Sequence, residues 1–105
     1  MGQFTLHRNA NPRSLREVPY LLDVQSDLLD ALATRVVIPV YPERAVGGAV
    51  FASLTPVLEV DGERYVAMTP QLAGIAKKEL GAAIADLSGR RAEVLGALEM
   101  LVTGT

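Results

Sequence analysis

Along Gln3–Arg8 the chain alternates, with Phe4 and Leu6 on one side and Gln3, Thr5 and His7 on the other. A period of two predicts a half-buried strand with His7 facing outward. Residues 9–14 (NANPRS) are rich in turn formers and read as a loop. Residues 18–24 (VPYLLDV) predict a second strand, with Pro19 near its start, where a missing N–H matters least. Residues 34–41 (TRVVIPVY) are almost continuously apolar, which predicts a strand buried on both faces. Pro39 within that run implies that the strand bends or lies at a sheet edge.

Residues 41–49 (YPERAVGGA) then read as a loop with one helical turn. The strongest local signal is 55–69 (TPVLEVDGERYVAMT), where two β-rich runs flank Asp61-Gly62. That dipeptide tolerates positive φ at both positions and so favours a tight hairpin. Residues 72–86 (LAGIAKKELGAAIAD) are ambiguous. Their Ala, Lys, Glu and Leu content favours a helix, while Gly74 and Gly81 argue against a long one. The last segment predicts a helix, because Leu87, Arg91, Val94, Leu95, Leu98, Leu101 and Val102 recur at spacings of three to four. Asp86 or Ser88 can cap its start, and Gly104 suits its end. Strands first and a helix last predict an α+β or mainly β fold, a small β-barrel with a helix across it.

At 105 residues the chain is expected to form one domain, residues 1–105, with half of it hydrophobic. The absence of Cys excludes a disulfide framework, a thiolate nucleophile and sulfur-ligated zinc. A net charge of −2 lacks the basic excess that supplies most nucleic-acid affinity, so no direct nucleic-acid binding is expected. The first residues, MGQFTLHRNANPR, have no signal-peptide layout, and no apolar run approaches the ~20 residues of a membrane span. The expectation is a soluble cytoplasmic protein.

The candidate chemistry centres on Asp23–Asp30 (DVQSDLLD), three aspartates beside two adjacent leucines. Asp23, Asp27 and Asp30 could ligate a hard cation, but their spacing fits no EF-hand loop. Asp also closes strands and turns by bonding its own backbone, and that structural role is the better reading. His7 stands alone, and Ser14, Ser26, Ser53 and Ser88 sit in no triad context. Residues 46–50 (VGGAV) lack the Lys-Ser/Thr of a phosphate loop, and the pairs in AKKEL and GRRAEV read as solvated charges. Neither an enzyme nor a cofactor or metal site is expected. Leu28 and Leu29 cannot both point inward on a strand. Either one is exposed or at a subunit contact, or both tuck under the barrel in a turn.

The chain resembles the CcdB family, the toxin half of CcdA–CcdB plasmid-maintenance modules. The resemblance rests on Gln3-Phe4, on DVQSDLLD, on Arg35–Pro39 (RVVIP), and on Pro56-Val57. Met68-Thr69, and Gly81 followed by ADLS at Ala85–Ser88, complete it. It implies a small SH3-like barrel of antiparallel strands with one C-terminal helix, assembled as a homodimer. It favours an extended conformation for the first part of the ambiguous segment. It also implies a toxin of a type II toxin–antitoxin system, without cofactor or chemistry of its own. Such a toxin binds the A subunit of DNA gyrase, traps the cleaved-DNA complex, and is neutralised by a CcdA-like antitoxin.

By the same resemblance, Leu28 and Leu29 face gyrase, and Glu99, Thr103, Gly104 and Thr105 align with the family's C-terminal gyrase contact. That contact ordinarily ends in Trp-Gly and an aliphatic residue, of which only Gly104 survives. Replacing Trp by Thr removes a large rigid anchor, and Glu99 replaces an Asn with a charge. Weakened or retuned poisoning is therefore the main alternative, with a detoxified relative kept for antitoxin binding close to it. A less favoured alternative is an endoribonuclease of the related MazF-type barrel, which needs a basic groove that this composition does not supply.

Overall fold

The structure, a computed structural model, describes residues 2–47 and 51–105. Among the described residues, seven strands form one antiparallel sheet: β1 (Thr5–Asn9), β2 (Tyr20–Asp23), β3 (Thr34–Pro42), β4 (Val57–Val60), β5 (Glu63–Ala67), β6 (Ala73–Ala76) and β7 (Leu80–Asp86). A one-turn helix, α1 (Glu43–Val46), follows β3, and α2 (Arg91–Thr103) ends the chain. The pairing order is β4-β5-β3-β2-β1-β7, with β6 also paired to β3. The result is a curled antiparallel half-barrel with one C-terminal helix, the mainly β, α+β class expected from the sequence. The last residues of the 41–49 segment, and with them the end of VGGAV, lie outside the described residues.

Strand alternation sorts the side chains onto two faces. Phe4 and Leu6, then Tyr20, Leu22 and Val24, then Ile38 and Val40 share one face. Val94 of α2 is buried against it, with Leu87, Leu95 and Leu98 packed alongside. Leu6, Leu22 and Ile38 are fully buried there. Each contributes about 1.5–3 kcal/mol of transfer free energy. Tyr20 and Tyr65 meet edge to face in the same core, 5.1 Å between centroids. The other face carries a smaller cluster of Val18, Leu21 and Val37. It also buries four polar side chains, His7, Asn9, Asp23 and Arg35.

The Asp61-Gly62 hairpin forms as expected, with φ of 52° and 80° at the two turn residues. Pro39 does not mark an edge, since β3 is central. It pairs β2 on one side and is shared on the other by β6 (Thr34–Val37) and β5 (Val40–Pro42). Pro39 lies in the seam between those partners, where its carbonyl accepts from Met68 N at 2.9 Å. A strand residue's N–H and C=O point the same way, so the missing donor falls in the seam and costs no ladder bond.

The ambiguous 72–86 segment is extended, forming β6, a short 3-10 turn at Lys77–Glu79, and β7. Helix propensity loses to pairing against β3 and β1. Gly81 permits the second pairing, because a Cβ there would stand 2.7 Å from the Arg8 carbonyl oxygen. His7 corrects its outward placement: it is fully buried, because its face of the sheet carries its own packed cluster of Val18, Leu21 and Val37 instead of open solvent. Its Nδ1 lies 3.0 Å from the Gly81 carbonyl, which can only accept, so Nδ1 carries the proton.

Candidate functional site

The Asp23–Asp30 segment leaves β2 and folds into a compact turn. Ser26 Oγ accepts from Leu28 N at 3.2 Å and opens a 3-10 turn over Asp27–Leu29. Asp30 N–H donates to Asp27 O at 3.2 Å and ends it. Leu28 projects from this turn 94 % exposed, with Leu29 and Leu32 half exposed beside it. The turn therefore presents a small apolar surface of Leu28, Leu29 and Leu32 to solvent.

Arg35 holds the turn from below. Its side chain is 1 % exposed, and it meets Asp23, which is fully buried, through Nε (2.9 Å) and Nη2 (2.8 Å) to Oδ2. Nη1 donates to Asp30 Oδ1 at 3.0 Å, Nη2 donates to the Gln25 carbonyl at 3.3 Å, and Asp27 Oδ1 stands 3.9 Å away. The other Asp23 oxygen accepts from Gln25 N at 3.0 Å. Gln25 bridges outward, its Nε2 donating to Leu29 O and its Oε1 accepting from Val36 N, both at 3.0 Å. The three aspartates therefore converge on a guanidinium and on backbone N–H groups, the structural role favoured from the sequence. Arg35 itself escaped the sequence reading. The available signal was one cation inside an otherwise apolar strand, a few residues after clustered carboxylates.

Two further contacts frame the turn. Gln3 N donates to Asp27 Oδ1 at 2.9 Å, and Gln3 Nε2 donates to Val24 O at 3.2 Å. Arg91, in the first turn of α2, reaches Gln3 Oε1 at 3.4 Å and lies over the Phe4 ring, 5.4 Å from its centroid. Phe4 adopts φ of 68°, a left-handed conformation held by Phe4 N to Asp23 O and by Leu87 N to Phe4 O. Lys77 Nζ donates to Asp30 O at 2.8 Å. Arg90 Nη2 donates to Val57 O at 2.8 Å and pairs with Glu93. Lys77, Arg90 and Arg91 are thus tethered rather than simply solvated, as the sequence had suggested.

The second group of candidate residues gathers at the opposite end of α2. Glu99, Thr103, Gly104 and Thr105 are all exposed. Thr103 Oγ1 donates to Glu99 O at 2.8 Å and lies 2.7 Å from Thr105 Oγ1, so its hydroxyl is spent within the helix end. Gly104 stops the helix as expected, at φ 78° with its N–H to Met100 O. Leu101 and Val102 extend the apolar spacing of the helix but not its packing. Val102 is 77 % exposed and Leu101 is at the margin, which makes them apolar surface at the tip. Twelve residues separate Arg91 from Thr103, about 18 Å along a helix axis. Leu28 and Leu29 thus form one exposed patch, and the helix tip a second.

Glu43, Tyr65 and Asp86, outside both patches, are held away from their ordinary ranges. Arg64 forks onto Glu43 from β5, holding that carboxyl below the usual range. The Ser88 N–H does the same for Asp86 at the entry to α2. Burial is the main cause raising the Tyr65 phenol. Among the described residues no helix is long and apolar enough to cross a membrane.

The presented leucine turn, its buried Arg35 anchor and the half-barrel beneath them occupy the segments on which the sequence resemblance rests. The family model described as CcdB protein matches residues 3–104, nearly the whole chain. This protein belongs to the CcdB family.

Proposed function

We propose that the protein is the toxin of a type II toxin–antitoxin system, acting in the cytoplasm on the A subunit of DNA gyrase and trapping the cleaved-DNA complex. Membership of the family suggests a toxin of this kind. The observation that carries the gyrase reading is Leu28, 94 % exposed on a turn whose base is a buried ion pair. Exposing a leucine to water is unfavourable, and fixing its backbone gives no return to the isolated fold. Both features are returned on binding, because a preorganised apolar knob loses little entropy when a partner covers it. A CcdA-like antitoxin would neutralise the toxin. Homodimerisation belongs to the same proposal, as the arrangement under which separated turn and helix-tip patches could serve one partner.

The helix tip favours one modification of this reading. Thr103 carries no aromatic area, its hydroxyl is internally bonded, and Glu99 is exposed beside it. Poisoning is therefore weaker than in a tryptophan-bearing relative, or tuned to a gyrase of different surface. Titrating purified protein against its host's gyrase in a DNA-cleavage assay tests both forms. Cleavage complexes at nanomolar protein support a full poison, and complexes only at micromolar protein support the weakened one. No cleavage at any concentration contradicts the gyrase reading. Expression without antitoxin separates it from RNA cleavage, which would deplete mRNA without damaging DNA.

A further inference from the structure

We infer that Lys77 is a positioning residue that holds the Leu28–Leu29 turn in its presenting conformation. This rests on the proposed function for its purpose but not for its geometry. The turn enters under firm control, with Ser26 capping it and Gln3 N and Arg35 at its carboxylates. Its exit is different. Between Asp30 and the start of β3, residues 31–33 are exposed and carry no strand or helix. Arg35 fixes the Asp30 carboxylate, and Leu32 N donates to Leu29 O at 3.1 Å across the exit, but neither contact holds the Asp30 carbonyl. Lys77 supplies that missing restraint from another element.

Lys77 opens the 3-10 turn between β6 and β7 and grips both ends of the exposed stretch. Its backbone N–H donates to Ala33 O at 2.9 Å, extending the β3–β6 pairing by one more bond. Its ammonium donates to Asp30 O at 2.8 Å and stands 3.8 Å from Asp30 Oδ1. Asp30 is thus held between two cations, one on its carboxylate and one on its carbonyl. The Lys77 side chain is 37 % exposed, so the contact is screened and marginal for global stability. Its effect is local: it removes freedom from the exit of a turn that would otherwise be ordered at the partner's cost.

Lys77→Met keeps the apolar stem and removes the donor, while Lys77→Arg restores a charged donor. Amide hydrogen exchange is measured on the full chain for both variants, alongside thermal unfolding and affinity for the gyrase A subunit. In Lys77→Met, exchange at Leu29, Asp30 and Leu32 rises about three- to tenfold, the factor for one lost hydrogen bond weakened by its exposure to solvent. Leu22 and Ile38 in the sheet exchange as before, the melting temperature holds, gyrase affinity falls by a similar factor, and Lys77→Arg reverses the changes. Unaltered exchange at the turn, a uniform rise through the sheet, or faster exchange with unchanged affinity would each overturn the inference. Exchange is read on the protein alone. Failure of the unaltered protein to bind gyrase would therefore count against the proposed function and leave the positioning result standing.

Discussion

Replacing Arg35 by Met tests whether the Asp27–Leu29 turn is built on a buried ion pair. The substitution keeps much of the side-chain volume and removes the charge. Asp23 is fully buried and loses its contacts to Nε at 2.9 Å and Nη2 at 2.8 Å. Removing one partner of such a pair leaves an uncompensated charge in the interior, at a cost of about 3–5 kcal/mol. The lost contact to Asp30, which is 59 % exposed, adds less than about 1 kcal/mol. With an unfolding entropy near 2.1 cal/mol/K per residue, a chain of this size loses about 15–25 °C of melting temperature. Urea titration of Arg35→Met, Asp23→Asn and the double variant completes a cycle. Since the double variant no longer strands a carboxylate, it recovers a third or more of the Arg35→Met loss. An Arg35→Met variant within about 1 kcal/mol of the unaltered protein, or a double variant with no recovery, would refute the reasoning.

Gly81→Ala places a Cβ 2.7 Å from the Arg8 carbonyl oxygen and should cost about 1–3 kcal/mol in thermal unfolding. Gly96→Ala, with nothing within 4 Å and a helical position, should be neutral or stabilising by up to about 1 kcal/mol. The Asp86 carboxyl is depressed by the Ser88 N–H, so its stabilisation is complete above the unfolded carboxylate range and lost as pH falls through the lower folded value. Asp86→Asn should therefore be less stable than the parent at neutral pH. That gap should close below about pH 4, as a stability-versus-pH series would show.

How far the sequence predicted the structure varies from element to element. Asp61-Gly62 was fully legible because turn chemistry is local: two positive-φ positions between β-rich runs leave little choice. The helix stop at Gly104 was legible for the same reason, but its start was expected too early: Asp86 accepts from Ser88 N to open a 3-10 turn over Ser88–Arg90, and α2 begins only at Arg91, with no side-chain cap. Residues 72–86 were ambiguous on local grounds, because their helical propensity is outweighed by pairing partners distant in the chain, and only the family resemblance favoured the extended first part that β6 shows. His7 was misplaced because alternation reports which residues share a face, not whether the second face is covered. The Leu28–Leu29 pair was readable as a problem, two adjacent leucines among carboxylates, and the structure gives Leu28 to solvent. Its support was readable only in part: Arg35 stands out as a lone cation in an apolar strand, whereas Lys77 reaches Asp30 across loops and nothing in local spacing announces that contact. Leu101 and Val102 continued the spacing of a core stripe beyond the point where there is sheet to pack on.

In the proposed function Leu28 serves a partner and not the fold. Leu28→Asp, compared with the unaltered protein by circular-dichroism melting and by gyrase-dependent DNA cleavage, tests it directly. A residue 94 % exposed should leave the melting temperature unchanged, while losing its burial in gyrase should raise the concentration for half-maximal cleavage about tenfold or more. Equal potency of the two proteins, or a fall in melting temperature that accounts for the loss, would contradict the account.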